Sequence, residues 1–309
     1  MDTSPSRSIL VTGASSGIGH HLTRTLAAQG HRVFATARKA KDLADLAAVE
    51  NVTPVRLDVR DARQVKEAAQ IVAAGGGLYG LVNNAGSGEL GPCSTWTDEE
   101  LLGIFDVNVF GPFRMTNACL RMLVESKGRV VNIGSQGGMI SKRYYGPYTM
   151  TKHALEAYTV ALSEELLPYG VQVSIVQPGG IVSNMGQNSF PGMLARFQRA
   201  EAPFREEAEA VLESFKDPGE PPPADAEESE THRKPSSPEI VTRAVLDALF
   251  SPRPKLRYLV GTRWEGHRVL NALIERLLDE NDNPQHDYSQ TQLVALLTLK
   301  IAERRARRA

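Results

Sequence analysis

"SILVTGASSGIGHHLTRTLAAQG" (8–30) decides the fold. Residues 8–12 are a short, mostly apolar run and read as a buried strand. From residue 18 the period changes. Ile18, Leu22 and Leu26 recur at helical spacing, and Gly30 supplies a stop. Between strand and helix lies "TGASSGIG" (12–19), a glycine, three residues, then Gly17-x-Gly19. Glycines here permit a tight turn and remove side chains where a ligand and a neighbouring strand approach. The helix start presents unpaired N–H groups and the positive end of its dipole, which favour a phosphate. In this context the turn predicts a nucleotide site.

The alternation continues outward. Runs at 32–37, 52–59, 78–86, 128–135, 171–180 and 256–261 read as strands; 41–49, 61–74, 98–125 and 148–167 read as helices. Continuously apolar strands between helices imply a parallel sheet covered on both faces. Right-handed crossovers make it a doubly wound α/β sheet. After Ser183 the pattern breaks. Residues 192–215 look helical, and "DPGEPPPADAEESETHRKPSS" (217–237), Pro-rich and acidic, reads as a mobile loop. Ser237 and Pro238 suit the cap and first turn of a helix to 250, and 264–305 is mostly helical. The division expected is a dinucleotide-binding catalytic domain, 1–261, with a lid and loop insertion at 184–237, then a helical extension, 262–309.

The chain has 309 residues, 41% hydrophobic and 23% charged, with a formal net charge of −1. That suits a globular enzyme and gives no global field for nucleic acid. The basic cluster "ERRARRA" (303–309) reads as a solvated helix end, with peripheral contact to acidic lipid as the alternative. No run reaches the ~18 apolar residues of a membrane span. The start "MDTSPSRSILVTG" lacks a signal pattern, so a cytoplasmic protein is expected. Cys93 and Cys119 read as reduced thiols; Cys93 is either a pocket wall or a small buried thiol. No metal site is expected, because there is no HExxH or Cys/His cluster, and the adjacent His20 and His21 point apart.

Two further stretches carry chemistry. "ATARK" (35–39) puts Arg38 where an NAD site usually has an acid. A guanidinium can bind a 2′-phosphate, so NADP(H) is favoured over NAD(H); an ordinary surface arginine is the alternative. Asp58 either accepts from an adenine amino group or caps a turn. "PYTMTKHAL" (147–155) places Tyr148 and Lys152 four apart, on one helix face. A free phenol titrates near ~10, and bringing it to neutrality takes ~4 kcal/mol. A cation ~6 Å away, at an effective dielectric of ~20, contributes roughly 3 kcal/mol. The pair therefore reads as an acid/base site in which Lys152 lowers the phenol's pKa.

"TGASSGIG", "NNAG" (83–86), Asn108 in "DVNVFGPF", Ser135 in "NIGS", "YTMTK" (148–152) and "PGGIVS" (178–183) occur in one order. Together they resemble the short-chain dehydrogenase/reductase family, over about residues 7 to 183. The resemblance implies a Rossmann-type sheet of about seven strands and hydride transfer at a carbonyl or alcohol carbon. It implies a catalytic tetrad of Asn108, Ser135, Tyr148 and Lys152. Ser135 would hold the substrate oxygen. Asn108 would hold a water in a relay with Lys152, and Lys152 would also bind the nicotinamide ribose. Implied cofactor contacts are Gly13, Ser15, Ser16, Gly17, Ile18, Gly19, Arg38, Asp58, Val59, Asn84, Ala85, Gly86, Tyr148, Lys152, Pro178, Gly179 and Ser183. Asn83 reads as structural. Ser183 stands where the family more often has threonine.

By the same resemblance the chain is a homodimer or homotetramer through helices 98–125 and 148–167. The expected partner is a small carbonyl or alcohol. Its walls come from 87–96, 136–145 and the segment after Gly179, including Met139, Ile140, Tyr144, Tyr145, Phe190, Met193, Leu194 and Phe197. Their bulk points to a lipophilic substrate, although such residues also pack lids. "FATARK" and the extended tail are similar to the hydroxysteroid and retinol dehydrogenase branch. An NADP(H)-binding regulator or scaffold without turnover is the alternative, against which the intact tetrad stands.

Overall fold

The computed structural model describes residues 6–216, 226–230 and 232–306. The chain divides into two units between Gly266 and His267. The first unit runs β1 (Ser8–Val11), α1 (Gly17–Ala28), β2 (Arg32–Ala37), α2 (Ala40–Ala47), β3 (Val52–Arg56), α3 (Ala62–Ala74), β4 (Gly80–Asn83) and α4 (Asp98–Phe105). It continues with α5 (Gly111–Ser126), β5 (Arg129–Ile133), α6 (Gly146–Leu166), β6 (Gln172–Pro178), α7 (Met185–Gln198), α8 (Arg205–Lys216), α9 (Pro238–Phe250) and β7 (Arg257–Val260). Then come α10 (Arg263–Asn281), which crosses the division, and α11 (Gln290–Ala306).

Among the described residues the strands form one sheet in the order β3-β2-β1-β4-β5-β6-β7, and each neighbouring pair is parallel. The doubly wound α/β sheet expected from the alternation is the fold observed. Alternation along β1 shows why its strands are continuously apolar. Ile9 and Val11 pack with Leu22 and Leu26 of α1 and Val245 and Leu249 of α9. Leu10 points the other way, among Val72 of α3 and Met115 and Leu123 of α5. The chain leaves the edge strand β3 and returns beside β1 as β4, so the crevice opens beyond the carboxyl ends of β1 and β4.

Several boundaries differ from expectation for identifiable reasons. The single helix expected at 98–125 is broken by a π turn at Asp106–Phe110. Pro112 has no N–H to give the carbonyl four residues earlier, that of Asn108, so the regular ladder fails there. The strand expected at 52–59 ends at Arg56, which leaves Asp58 and Val59 in the following loop. The helical stretch 192–215 is two helices, α7 and α8. Ser237 caps α9 through Glu239 N–H, with Pro238 in the first turn, as expected.

The mobile loop expected at 217–237 needs correction where it is described. Residues 217–225 and 231 lie outside the described residues. Ser236, by contrast, bridges Ile181 in parallel, accepts from Val182 N–H at 3.0 Å and donates to Gly180 at 2.8 Å. Composition misses this because a strap of a few residues needs backbone pairing rather than an apolar face. Of the basic cluster 303–309, α11 covers residues to Ala306, and 307–309 lie outside the described residues.

Candidate active site

The glycine turn is built around hydroxyls. Thr12 Oγ1 accepts from Asn84 N–H at 2.9 Å and Ala85 N–H at 3.0 Å, and Thr36 Oγ1 accepts from Gly13 N–H at 3.2 Å. Gly13 and Gly17 have φ of +65° and +54°. A Cβ on Gly13 would sit 2.9 Å from Ala85 Cα, and one on Gly17 would sit 3.1 Å from Ser183 Cβ. Ser183 therefore lies over the turn. Ser16 is the N-cap of α1, yet its side chain makes no capping bond, and the first turn carries no acid. Hydroxyl, orphan N–H groups and glycine cradle together fit a phosphate. Ser15 is exposed beside them, whereas Ile18 packs partly into the core.

Other expected cofactor residues divide by what they touch. Asn84 Nδ2 donates to the carbonyls of Thr12 and Gly13, so its amide holds the turn. The Val59 side chain is in the core. Arg38 is exposed just past β2. Asp58 carries a chelate from Arg60, whose Nε is 3.0 Å from Oδ1 and Nη2 2.7 Å from Oδ2. Those bonds hold its carboxyl below the usual range, with a smaller contribution from the Arg38 charge. Of the two readings for Asp58, the turn-holding one is what its bonds show. Asn83 links β4 to Thr116 and Asn132, as befits a structural residue.

The four tetrad residues converge. Pro147 sits in the first turn of α6, Tyr148 follows it, and Lys152 comes one turn later. Lys152 Nζ lies 5.8 Å from the Tyr148 ring centroid and donates to Ile133 O, at the end of β5, at 3.0 Å. Ser135 Oγ, just past β5, accepts from Gly137 N–H at 3.0 Å and hydrogen-bonds the phenol. Asn108 is buried on the π turn. Its Oδ1 accepts from Ser87 N–H at 2.8 Å, and its Nδ2 donates to Ser87 O at 2.9 Å and Thr151 Oγ1 at 3.0 Å. Both amide hydrogens are therefore engaged. Gly86 lies between Asn108 Oδ1 and Lys152 Nζ: a Cβ there would be 3.4 Å from one and 3.9 Å from the other.

The electrostatics differ from the sequence expectation. Burial raises the Tyr148 phenol above its ordinary value, with the Ser135 hydrogen bond acting against it. Burial lowers Lys152 to about 8. Each side chain resists its charged form. In the protein alone, Lys152 does not bring the phenol below its ordinary value.

Three groups that sequence reading missed hold this edge of the sheet. Glu265, 1% exposed, accepts from Gly180 N–H at 2.8 Å and Thr262 N–H at 3.2 Å, and pairs with Arg233 of the strap. It thus ties the loop after Pro178 to β7's end. Arg196 of α7, 4% exposed, meets Glu89 at 3.0 Å, the carbonyl of Leu90 at 2.9 Å and the Trp96 ring at 3.8 Å. Thr151 anchors Asn108. Only isolated charges or hydroxyls mark these residues in the sequence, so no periodic signal could have found them.

The expected walls are only partly assembled around open space. Phe197 is buried in a satellite core with Ala200 and Ala208, against which Tyr144 and Met193 pack. Those residues pack the lid. A cavity of about 370 Å³ adjoins them, walled by Pro92, Cys93, Tyr144 and Phe204, with Lys142 and Glu207 also in its lining. A larger one, about 700 Å³, lies within 197–212 and touches no tetrad residue. The smaller cavity reaches Gly146, two residues short of Tyr148. Cys93 is thus an exposed wall thiol, while burial pushes the Cys119 thiol up to about 12. His153 turns back on its own helix, with Nδ1 2.8 Å from Thr149 O. No candidate metal cluster occurs among the described residues.

The short chain dehydrogenase family model matches residues 7–193. The chain belongs to the short-chain dehydrogenase family. This short-chain dehydrogenase is 34% identical over 288 residues to the uncharacterized oxidoreductase YbbO of Escherichia coli, covering 89% of this chain and 93% of that one. It superposes on the crystal structure of a short-chain dehydrogenase from Streptomyces avermitilis with a TM-score of 0.72 at 28% identity, covering 89% and 95% of the two chains. A variant of actinorhodin polyketide ketoreductase, solved with NADPH, gives 0.67 at 28% identity, covering 84% and 97%. The protein is an oxidoreductase acting on CH–OH or C=O groups. Among the described residues, no helix of this dehydrogenase is long and apolar enough to cross a membrane.

Proposed function

We propose that the enzyme transfers hydride between NADP(H) and a lipophilic ketone or alcohol, with Tyr148 as the general acid/base. The observation that carries the reading is the convergence of Tyr148, Ser135 and Lys152 beyond the sheet's carboxyl edge, beside a glycine cradle that fits a phosphate. When bound, the nicotinamide gives or takes the hydride at the substrate carbon. The proton is the chain's task. In reduction, the Tyr148 hydroxyl donates to the carbonyl oxygen as negative charge develops there. Ser135 takes its inward bond from Gly137 N–H, and its O–H, which faces the phenol, turns to that oxygen when the substrate lies between them. The Lys152 ammonium, fixed on Ile133 O, favours the phenolate left behind. With the Asn108 amide engaged, a resupplying water would use the backbone carbonyl that Pro112 leaves without its usual donor.

Arg38, exposed where β2 ends, is the reader of a 2′-phosphate. The NADPH in the actinorhodin enzyme supports that choice. The 370 Å³ cavity, lined by Pro92, Tyr144, Phe197 and Phe204 together with Lys142 and Glu207, suits a lipophilic carbonyl with a polar end. Phe110, Phe113 and Met150, exposed on the turn before α5, on α5 and on α6 respectively, support the pairing of copies through these helices.

Nucleotide fluorescence and a carbonyl panel graded by size and polarity test the reading. NADPH should bind at least ~10-fold more tightly than NADH, about 1.4 kcal/mol, and Arg38→Asp should remove that preference. Tighter NADH binding by the natural sequence would refute the role of Arg38.

A further inference from the structure

The apolar side chains of the C-terminal unit lack a cover. On α10, Leu270, Leu273, Ile274, Leu277 and Leu278 recur at the spacing of one helix face, and all five are 37% to 55% exposed. A stripe of that kind is made to pack. On α11, Val294, Leu296, Leu297, Leu299 and Ile301 are also exposed, and no described residue of this helix is buried. Scattered exposed leucines are ordinary, but the α10 stripe, followed by the shorter face of Val294, Leu297 and Ile301 on α11, marks an interaction surface.

The charges indicate what covers them. Residues 275–287 carry Glu275, Asp279, Glu280, Asp282 and Asp287 against Arg276 alone among arginines and lysines. The last turns of α11 carry Lys300, Arg304 and Arg305 against Glu303. These ends match only where an α11 runs parallel to an α10. Antiparallel packing would set Arg304 and Arg305 beside Arg263 and Arg268 at the start of α10. The same chain cannot supply the parallel helix. Asn281 and Tyr288 exchange two hydrogen bonds of 3.0 Å, which close 282–287 into a tight loop. Helix α11 therefore starts where α10 ends, whereas parallel packing would require the linker to run back ~25 Å, the length of a 17-residue helix.

We propose that the cover is a second copy of this chain. Helix α11 of each copy lies parallel to α10 of the other about a two-fold axis, giving a four-helix bundle. A membrane surface fits less well, because the acidic block flanks the same apolar stripe and anionic lipid would repel it.

The test measures the mass of the full-length chain in solution by sedimentation equilibrium, alone and with vesicles of phosphatidylcholine and phosphatidylserine. Variant one is Lys300→Glu/Arg304→Glu/Arg305→Glu; variant two is Asp279→Lys/Glu280→Lys/Asp282→Lys. Each should have half the mass of the natural chain, whatever other interface persists, with unchanged circular dichroism. Mixing the two should restore the full mass, since a mixed pair matches charge at both contacts. Unchanged mass in both variants, or mixing that restores nothing, would overturn the proposal. So would vesicle binding by the natural chain that variant one loses, which would assign the surface to lipid. If one variant misfolds, the other decides in added salt: a rise from the half mass as its like charges are shielded supports the contact, and no rise opposes it.

Discussion

Tyr148 and Lys152 meet in surroundings that disfavour both of their charges, which gives the site a defined pH response. Lys152 has a pKa of about 8, so its ammonium is lost as pH rises through that value. If the ammonium is needed, kcat/KM for NADPH in carbonyl reduction should be flat below pH ~7 and fall about tenfold per unit above ~9, as stopped-flow fluorescence would show. The same burial is a stability cost. The unfolded lysine keeps its proton up to 10.5, so the folded protein bears the full penalty below about 8 and sheds it between those values. Lys152→Met should therefore raise the unfolding free energy at pH 7 by about 1–3 kcal/mol, less at pH 10, while abolishing turnover. Denaturant melts at the two pH values check the sign. The Tyr148–Lys152 pair was legible in the sequence as a spacing of four, while Ser135 and Asn108 entered only through the family resemblance. The bonds that occupy Asn108 were not, because Ser87 and Thr151 come from a loop and a helix whose approach depends on tertiary packing.

Elements with a strong apolar period, such as β1 and α1, were readable to within a residue or two. The elements that set the site were harder to read because each breaks a period. The π turn follows from one missing N–H, and the strap at 232–237 from backbone pairing with the loop after Pro178. Glu265 joins that strap to the loop after Pro178. Its carboxylate accepts two backbone N–H bonds and faces Arg233, so Glu265→Gln keeps the shape but removes the counter-charge. Stability should fall by about 1–3 kcal/mol. Amide exchange in 178–183 should quicken, and the KM for NADPH should rise more than kcat falls. Exchange unchanged in that segment would show that the carboxylate does not hold it.

Across the whole molecule, the parallel sheet turns loops that are distant in sequence toward one edge. The turns after β1, β2, β4, β5 and β6 supply the glycine cradle, Arg38, Gly86, Ser135 and Gly179 in that order. Sequence order and strand order together explain why six dispersed motifs make one site. The basic cluster of the C-terminal unit was visible in the sequence, but the acidic residues that answer it stood out only once Asn281 and Tyr288 were seen to close the linker between the two helices. Catalysis rests on a single claim, that the Tyr148 hydroxyl supplies the proton while hydride moves. Its most direct test is Tyr148→Phe, with NADPH binding by fluorescence and ketone reduction in a single turnover. NADPH affinity within about threefold of the natural enzyme, with turnover lowered at least ~100-fold, is the expected result. Turnover retained to within tenfold would contradict the account.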